Sequence, residues 1–191
     1  MLADRRGVAS AAMPGPISLP GIIRRHAIDR PQNPALIIHA AKEIEPEEMS
    51  YSVLVAQMSK AQERIVQLLP DAGGEQQRVA ILAHNSTSYL IHSLAVMELG
   101  AMAVHLNWRM PAATLGEQLG TLRCALLFAT PALKEAGHAA AAFCSTRIHV
   151  ELLTPPTPLD EADASAMKPA KIAAPASDAW SDTIAVVFFT S

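Results

Sequence analysis

The sequence predicts an α/β fold in which strands and helices alternate and the sheet is mainly parallel. Short apolar runs of strand length recur between residues 78 and 153, and such uninterrupted runs are typical of strands that are covered on both faces. Stretches of helical spacing, with apolar residues three or four positions apart, separate these runs. Strands joined through helices form right-handed crossover units, which make a parallel sheet.

The first elements precede this regular alternation. Residues 19–30 have the apolar spacing of a helix, and the prolines that follow end it before a short strand at 35–39. An acidic, proline-containing turn is expected at 43–48. A long helix follows, for which Ser50 or Ser52 is the expected N-cap. Its apolar stripe consists of Leu54, Met58, Ala61, Ile65 and Leu68.

The later elements follow in strict alternation. The predicted strands are 78–83, 101–106, 125–129 and 148–153, and the predicted helices are 89–99, 112–122 and 131–142. Asn85, Ser86 and Thr87 are interpreted as a cap for the first of these helices. Gly100 is expected to end that helix in the left-handed conformation that glycine adopts most easily.

Composition excludes several classes of protein. The chain has 191 residues, 50% of them hydrophobic, and a formal net charge of −3. This apolar content supports a core and excludes wholesale disorder. The acidic balance provides no basic face for nucleic acid, and no apolar run approaches the ~20 residues that span a bilayer. We therefore expect no nucleic-acid partner and no transmembrane segment.

The chain divides into four predicted parts. Residues 1–17 are expected to be a flexible leader, 18–153 an α/β domain, 154–181 a Pro/Ala-rich linker or loop, and 182–191 a strand that returns to the domain. The leader has no apolar segment after its arginines, so it does not predict a secretory signal. The expected location is cytoplasmic, with organelle targeting left open. An apolar strand so close to the last residue suggests the front part of a longer protein.

Three segments, in this order, carry a family resemblance. The first is MSYSVL at 49–54, and the second is RVAILAHNS at 78–86, which continues through ELGAMAV at 98–104 to LNWRM at 106–110. The third is DTIAVVFFTS at 182–191. Together they resemble the start of the adenylate-forming (AMP-dependent) synthetase and ligase family, which includes the acyl-CoA synthetases. The resemblance extends over residues 18–191.

The resemblance implies a chemistry. Members of the family activate a carboxylic acid with ATP to an acyl-adenylate and transfer the acyl group to a thiol, usually that of coenzyme A. Thr190 and Ser191 are similar to the first two positions of the family's phosphate-binding loop, whose glycines and lysine would follow them. A Gly-rich turn of this kind presents backbone N–H groups to phosphate. The fold implied is the first part of the family's N-terminal domain.

The same resemblance limits what this chain can do. The family's magnesium-binding acidic residue, its adenine-binding segment and its C-terminal lysine would all lie beyond residue 191. We therefore assign no catalytic residue and no metal ligand, and we expect the chain to be inactive alone. ATP, coenzyme A and magnesium are expected for the full-length protein, and the fragment should bind none of these three well. The expected partner is a small-molecule carboxylic acid. The alternative is a non-catalytic α/β binding or assembly module that has lost the phosphate loop.

Several polar residues have two possible interpretations. His84 could be an acid–base group, but no carboxylate or nucleophile accompanies it, so a loop histidine is the better interpretation. His92 and His105 are interpreted as core-edge histidines rather than metal ligands. Arg109 follows a strand, where ligands gather in α/β sheets, but an ion pair or loop anchor is favoured, and Trp108 is interpreted as packing.

The two cysteines, Cys124 and Cys144, are too few for a disulfide framework. We expect both to be buried or half-buried thiols in a reducing compartment.

Overall fold

The computed structural model describes residues 18–38, 47–69, 77–156 and 186–188. The helices of this part are α1 (Leu19–Asp29), α2 (Tyr51–Leu68), α3 (Thr87–Glu98), α4 (Ala112–Thr121) and α5 (Lys134–Ala142). The strands are β1 (Pro34–Ile38), β2 (Glu47–Ser50), β3 (Arg78–Leu82), β4 (Met102–His105), β5 (Leu126–Ala129), β6 (His149–Leu152) and β7 (Val186–Phe188). The alternation of strands and helices confirms the predicted α/β class.

Five strands form one parallel sheet in the order β6-β5-β3-β4-β7. Its register places Ile81 beside His105, and His105 beside Phe188. The chain moves from β3 to β4 on one side, then crosses back past β3 to β5 and continues outward to β6. β7 lies within the predicted strand 182–191, and it pairs with β4 at the other edge.

Each central strand is buried on both faces, which explains its unbroken apolar run. On one face, α2 and α3 cover Val79 and Ile81 of β3 and Phe128 of β5. On the other face, α4 and α5 cover Ala80 and Leu82. Fully burying a side chain the size of Leu or Phe contributes roughly 1.5–3 kcal/mol. These two apolar layers therefore hold the sheet between two pairs of helices.

The structure confirms the predicted capping residues of two helices. Ser50 caps α2, because its hydroxyl accepts a hydrogen bond from the Val53 amide at 3.3 Å. Ser86 caps α3 by accepting from the Tyr89 amide at 3.2 Å, which starts that helix at Thr87, two residues before its predicted start. Gly100 has a φ of 73°, in the left-handed region expected at this position.

The predicted apolar stripe of α2 is also confirmed. Leu54, Met58, Ala61 and Ile65 are buried, and Leu68 packs against the same core. The predicted helix 131–142 instead begins with a 3-10 turn at Pro131–Leu133 before α5 starts. This turn is short, as 3-10 segments at helix ends usually are.

The acidic turn predicted at 43–48 is partly wrong. Residues 43–46 lie outside the described ranges, but Glu47 and Glu48 belong to β2, which pairs antiparallel with β1. Glu48 stands opposite Ile37, which is 54% exposed. Glu48 is tolerated in this strand because it lies at an exposed position of a two-stranded sheet that is separate from the main one.

Helix α1 is attached to the domain by polar contacts as well as by packing. Its Ile23 packs against the core, whereas Leu19 and Ile22 are 55% and 39% exposed. The Arg24 guanidinium forms an ion pair with Glu98 of α3, with one N–H···O distance of 2.9 Å. It also donates to Gln62 of α2 at 3.3 Å. We call Arg24, Gln62 and Glu98 the three-helix polar network.

Several predictions fall outside the described residues. These are the leader 1–17, residues 157–181 of the predicted linker, and the phosphate-loop residues Thr190 and Ser191. The proposed boundaries at 18 and 153 stay predictions. Within the described ranges, no helix is long and apolar enough to cross a membrane.

Candidate functional site

A crevice lies where the chain changes direction in the sheet. Strands β3 and β4 are neighbours, yet α3 packs on one face of the sheet and α4 on the other. The loops that follow the two strands therefore separate at their carboxyl ends. In open α/β sheets, ligands bind in the crevice at such a point. We call the residues after β3 (83–86) and after β4 (106–110) the switch-point crevice.

Two rings and a cation form a row in this crevice. The ring centroids of His84 and Trp108 lie 4.4 Å apart, and the Arg109 guanidinium carbon lies 5.0 Å from the Trp108 ring centroid. The Asn107 side-chain oxygen accepts a hydrogen bond from the Arg109 amide at 3.1 Å, which orients the loop. Trp108 remains 38% exposed. The row thus presents an aromatic surface with an adjacent positive charge.

The favoured interpretation of Arg109 was an ion pair or a loop anchor, and the structure corrects the ion-pair part. Within the described ranges its guanidinium has no carboxylate partner, and it contacts the Trp108 ring instead of forming an ion pair. A cation over an exposed aromatic ring gains only about 0.5–1 kcal/mol. This weak contact leaves the charge of Arg109 available to an anionic ligand. Trp108 does pack, against His84, but only one part of its surface is used.

His105 lies behind the crevice, at the last position of β4. It is 7% exposed, and its ring centroid is 4.8 Å from that of Tyr89. Burial lowers the pKa of His105 to about 4, so the ring is neutral at pH 7. This agrees with the predicted core-edge histidine. His84, on the exposed side of the same edge, is the predicted loop histidine.

His92 is buried in α3. Its Nδ1–H donates to the Ser88 carbonyl at 2.9 Å, and its ring lies 4.9 Å from the Phe128 ring. Burial lowers the pKa of His92, and the hydrogen bond to Ser88 opposes that effect only in part. Among the described residues there is no group of three or more His, Cys, Asp or Glu side chains that could hold a metal ion.

The cysteines are remote from the crevice and are both free thiols. Cys124 is buried, and burial raises its pKa to about 12. Cys144 is half-buried and donates to the Gly116 carbonyl at 3.2 Å, and burial raises its pKa as well. Both thiols therefore stay protonated at neutral pH, which agrees with the predicted buried or half-buried thiols and does not suit a nucleophile.

Strand β7 relates the crevice to the predicted phosphate loop. Because β7 runs parallel to β4 and Phe188 is in register with His105, it ends at the same edge of the sheet as β3 and β4. Thr190 and Ser191 follow it in sequence but lie outside the described residues. The meeting of His84 with Trp108 and Arg109 could not be predicted, because it depends on the order of the strands. The position of Arg109 after a strand was the available signal.

The fold defines an open, parallel α/β sheet with a crevice at its switch point, and the sequence identifies the family. The profile of the AMP-binding enzyme family matches residues 23–191. The chain therefore belongs to the AMP-binding enzyme family, which confirms the resemblance to adenylate-forming synthetases and ligases. No curated protein matches the chain by sequence.

Solved structures share this fold. A fatty acyl CoA synthetase from Mycobacterium tuberculosis has a TM-score of 0.62 and 17% identity, over 90% of this chain and 32% of its own. ATP-bound MatB from Rhodopseudomonas palustris has a TM-score of 0.59 and 20% identity, over 86% and 31%. A fatty acyl-adenylate ligase from L. pneumophila, solved with acyl adenylate and pyrophosphate, has a TM-score of 0.57 and 15% identity, over 88% and 27%. The chain thus spans about a third of their length.

Proposed function

We propose that this chain is the N-terminal part of an ATP-dependent acid–thiol ligase that forms acyl-coenzyme A. In the reaction, a carboxylate oxygen of the acid attacks the α-phosphorus of ATP and pyrophosphate leaves. The thiol sulfur of coenzyme A then attacks the carbonyl carbon of the acyl-adenylate, and AMP leaves as the thiol proton is lost to a base. Membership of the AMP-binding enzyme family supports the first step. The likeness in fold to a fatty acyl CoA synthetase supports coenzyme A as the thiol acceptor in the second step.

The observation that carries the proposal is the position of Arg109 beside the Trp108 ring in the switch-point crevice, where no carboxylate of the described residues pairs with its charge. Both substrates that bear phosphates, ATP and coenzyme A, also carry a planar base. A guanidinium binds phosphate oxygens by charge-assisted hydrogen bonds, and an exposed indole offers a surface for stacking. In this proposal Arg109 holds a phosphate group of one of these substrates at the carboxyl edge of the sheet.

The phosphate loop would complete this edge. Thr190 and Ser191 are proposed to donate their hydroxyls to ATP phosphates in a protein that continues with the family's Gly-rich loop. The supporting observation is that β7, two residues before Thr190, ends at the same sheet edge as the crevice. We derive no step through magnesium, because the described residues hold no cluster of metal-binding side chains.

The proposal has consequences for this chain alone. It contains the central sheet but not the glycines and lysine expected after Ser191. The 191-residue chain is therefore proposed to be inactive by itself, in a cytoplasmic protein that acts on a small carboxylic acid. The proposed organisation keeps 18–153 as the α/β domain and 154–181 as a linker before the returning strand.

The test is acid-dependent exchange of pyrophosphate into ATP, followed by acyl-coenzyme A formation, in a protein that extends this chain through the phosphate loop. Arg109→Gln should lower kcat/KM for the phosphate-bearing substrate about ten- to a hundredfold, since a hydrogen bond to a charged group contributes about 1.5–3 kcal/mol. Arg147→Gln is the matched control, because Arg147 is exposed just before β6, at the opposite edge of the sheet. It should leave both reactions unchanged.

The possible outcomes separate the parts of the proposal. No exchange with any tested carboxylate would favour the non-catalytic binding or assembly module. Pyrophosphate exchange without acyl-coenzyme A formation would support the adenylate-forming step and contradict coenzyme A as the acceptor. Equal activity of the Arg109 and Arg147 variants would show that Arg109 in the crevice does not bind the substrate.

A further inference from the structure

A second concave site lies between α2, α3 and the end of β6. It is a cleft of about 170 Å³, far above the roughly 10–15 Å³ that one water molecule needs. Hydroxyl, amide, imidazole and charged side chains converge on it, and it is partly open to solvent. We call this site the β6 cleft. Its lining residues belong to neither loop of the switch-point crevice.

His92 of α3 brings a hydrogen-bond acceptor to the β6 cleft. Its side chain is only 7% exposed. Because a carbonyl oxygen can only accept, Nδ1 carries the proton of the hydrogen bond to Ser88, and burial keeps the ring neutral by lowering its pKa. Nε2 of such a ring has no proton and can only accept. No described residue donates to Nε2, and Nε2 is not among the side-chain atoms closed off from solvent, so it opens into the cleft that His92 lines.

The α2 wall of the β6 cleft is cationic. Lys60 and Arg64 lie about one helical turn apart on the same face of α2. The Arg64 guanidinium donates to the Glu151 carboxylate at 2.9 Å, and His149 Nε2 lies 3.1 Å from the other oxygen of Glu151. Glu151 therefore neutralises Arg64. No acidic residue of the described ranges forms an ion pair with Lys60, so the wall keeps one excess positive charge.

We propose that the β6 cleft binds a phosphate group that keeps a proton, either as the free ion or as a phosphomonoester. The phosphate oxygens would accept from the Lys60 ammonium and from the Ser88 hydroxyl in the first turn of α3. The P–O–H group would donate to His92 Nε2, the one contact that needs a proton on the ligand. Sulfate offers similar oxygens without a proton, so its lone pairs would face the lone pair of Nε2. The cleft should therefore select phosphate over sulfate.

The test titrates the 191-residue chain with sodium phosphate and with sodium sulfate at pH 6.5 and constant ionic strength, by isothermal titration calorimetry. We expect phosphate to saturate with a Kd of about 1 mM or lower. Sulfate should bind about tenfold more weakly or worse, because it loses a hydrogen bond between a charged ligand and Nε2. In ¹H–¹⁵N spectra of the imidazole rings, the Nε2 resonance of His92 should shift as phosphate saturates and stay unchanged with sulfate.

Two charge-matched variants locate the site. Lys60→Gln should weaken phosphate binding about fivefold or more, because it removes the excess charge of the α2 wall. Lys134→Gln removes the same charge from an exposed position of α5, on the other face of the sheet, and should leave phosphate binding unchanged. Lys60 is only partly buried, so its variant is expected to fold, and thermal unfolding checks this.

Methyl phosphate separates the two sources of the phosphate group. Binding as tight as that of inorganic phosphate would support a phosphomonoester as the natural ligand, and weaker binding would support the free ion.

The proposal is overturned if phosphate fails to saturate, if sulfate binds as tightly, or if Lys60→Gln and Lys134→Gln behave alike. Phosphate binding that leaves the His92 Nε2 resonance in place would also reject the β6 cleft as the site. None of these outcomes depends on adenylate formation, so they leave the proposed ligase function untouched.

Discussion

Two glycines of α4 differ in their surroundings, so the same substitution should affect them oppositely. A Cβ at Gly116 would stand 2.5 Å from the Cβ of Phe143 and 2.6 Å from the carbonyl oxygen of Ala140. Neither atom is the end of a flexible side chain, so α5 and the residues after it would have to move away from α4. At Gly120 an added Cβ meets nothing within 4 Å. Gly120→Ala is therefore the matched control for Gly116→Ala.

The magnitudes follow from two opposing effects. Replacing Gly by Ala inside a helix stabilises by up to about 1 kcal/mol, and Gly120→Ala should gain ~0.5–1 kcal/mol. Overpacking costs about 1–3 kcal/mol, and a clash with main-chain and Cβ atoms belongs at the upper end. Gly116→Ala should therefore lose about 1–2 kcal/mol net. At roughly 2–4 °C per kcal/mol for a chain of this size, the two melting temperatures should move in opposite directions.

The assay is urea and thermal unfolding followed by circular dichroism, with both variants and the parent chain at one protein concentration. Melting should fall by about 2–8 °C for Gly116→Ala and rise by about 1–4 °C for Gly120→Ala. An unchanged or raised melting temperature for Gly116→Ala would refute the close packing of α4 on α5. Equal shifts in the same direction would show that helix propensity, and not contact, decides both positions.

Two further predictions concern charge. Glu98→Gln should lower the free energy of unfolding by about 1–2 kcal/mol, because it leaves Arg24 without its anionic partner at a site that is only about a fifth exposed. Asp29→Asn changes the far more exposed pair with Arg25 and should lower that free energy by less than ~0.5 kcal/mol. Equal losses in the two variants, measured by urea unfolding, would contradict this reasoning. Burial lowers the pKa of His105 in the folded chain to about 4, from 6.5. The unfolded chain therefore binds a proton at this residue more readily than the folded chain does. The stability that neutral His105 gives the fold is present above pH 6.5 and is lost as the pH falls toward 4. In urea unfolding, the free energy of unfolding should fall between pH 6.5 and pH 4.5 in the parent chain. The fall should be smaller by about 1–2 kcal/mol in His105→Gln, which has no titrating ring. An identical fall in the parent chain and the variant would contradict this prediction.

Much of the fold follows from local patterns. The strands β3, β4 and β5 were predictable because burial on both faces leaves uninterrupted apolar runs. Ser50 and Ser86 were predictable because a cap needs only one hydroxyl at the right place. Strand β2 was not. Its glutamates have no strand-forming pattern, and their extended conformation comes from pairing with β1, a contact that hydropathy cannot reveal.

The candidate site was harder to predict, for a different reason. Arg109 was recognised as a residue at the end of a strand, but its contact with Trp108 depends on how the fold arranges the loop after β4. The crevice depends on strand order, and strand order is a property of the whole sheet.

The order of the strands also explains the chemistry of the switch-point crevice. The crevice lies between β3 and β4, where the following helices leave to opposite faces, so its loops are open. Among the described residues, no acidic side chain pairs with its cation, Arg109. An open, cationic and aromatic edge of this kind suits a substrate that carries several phosphates.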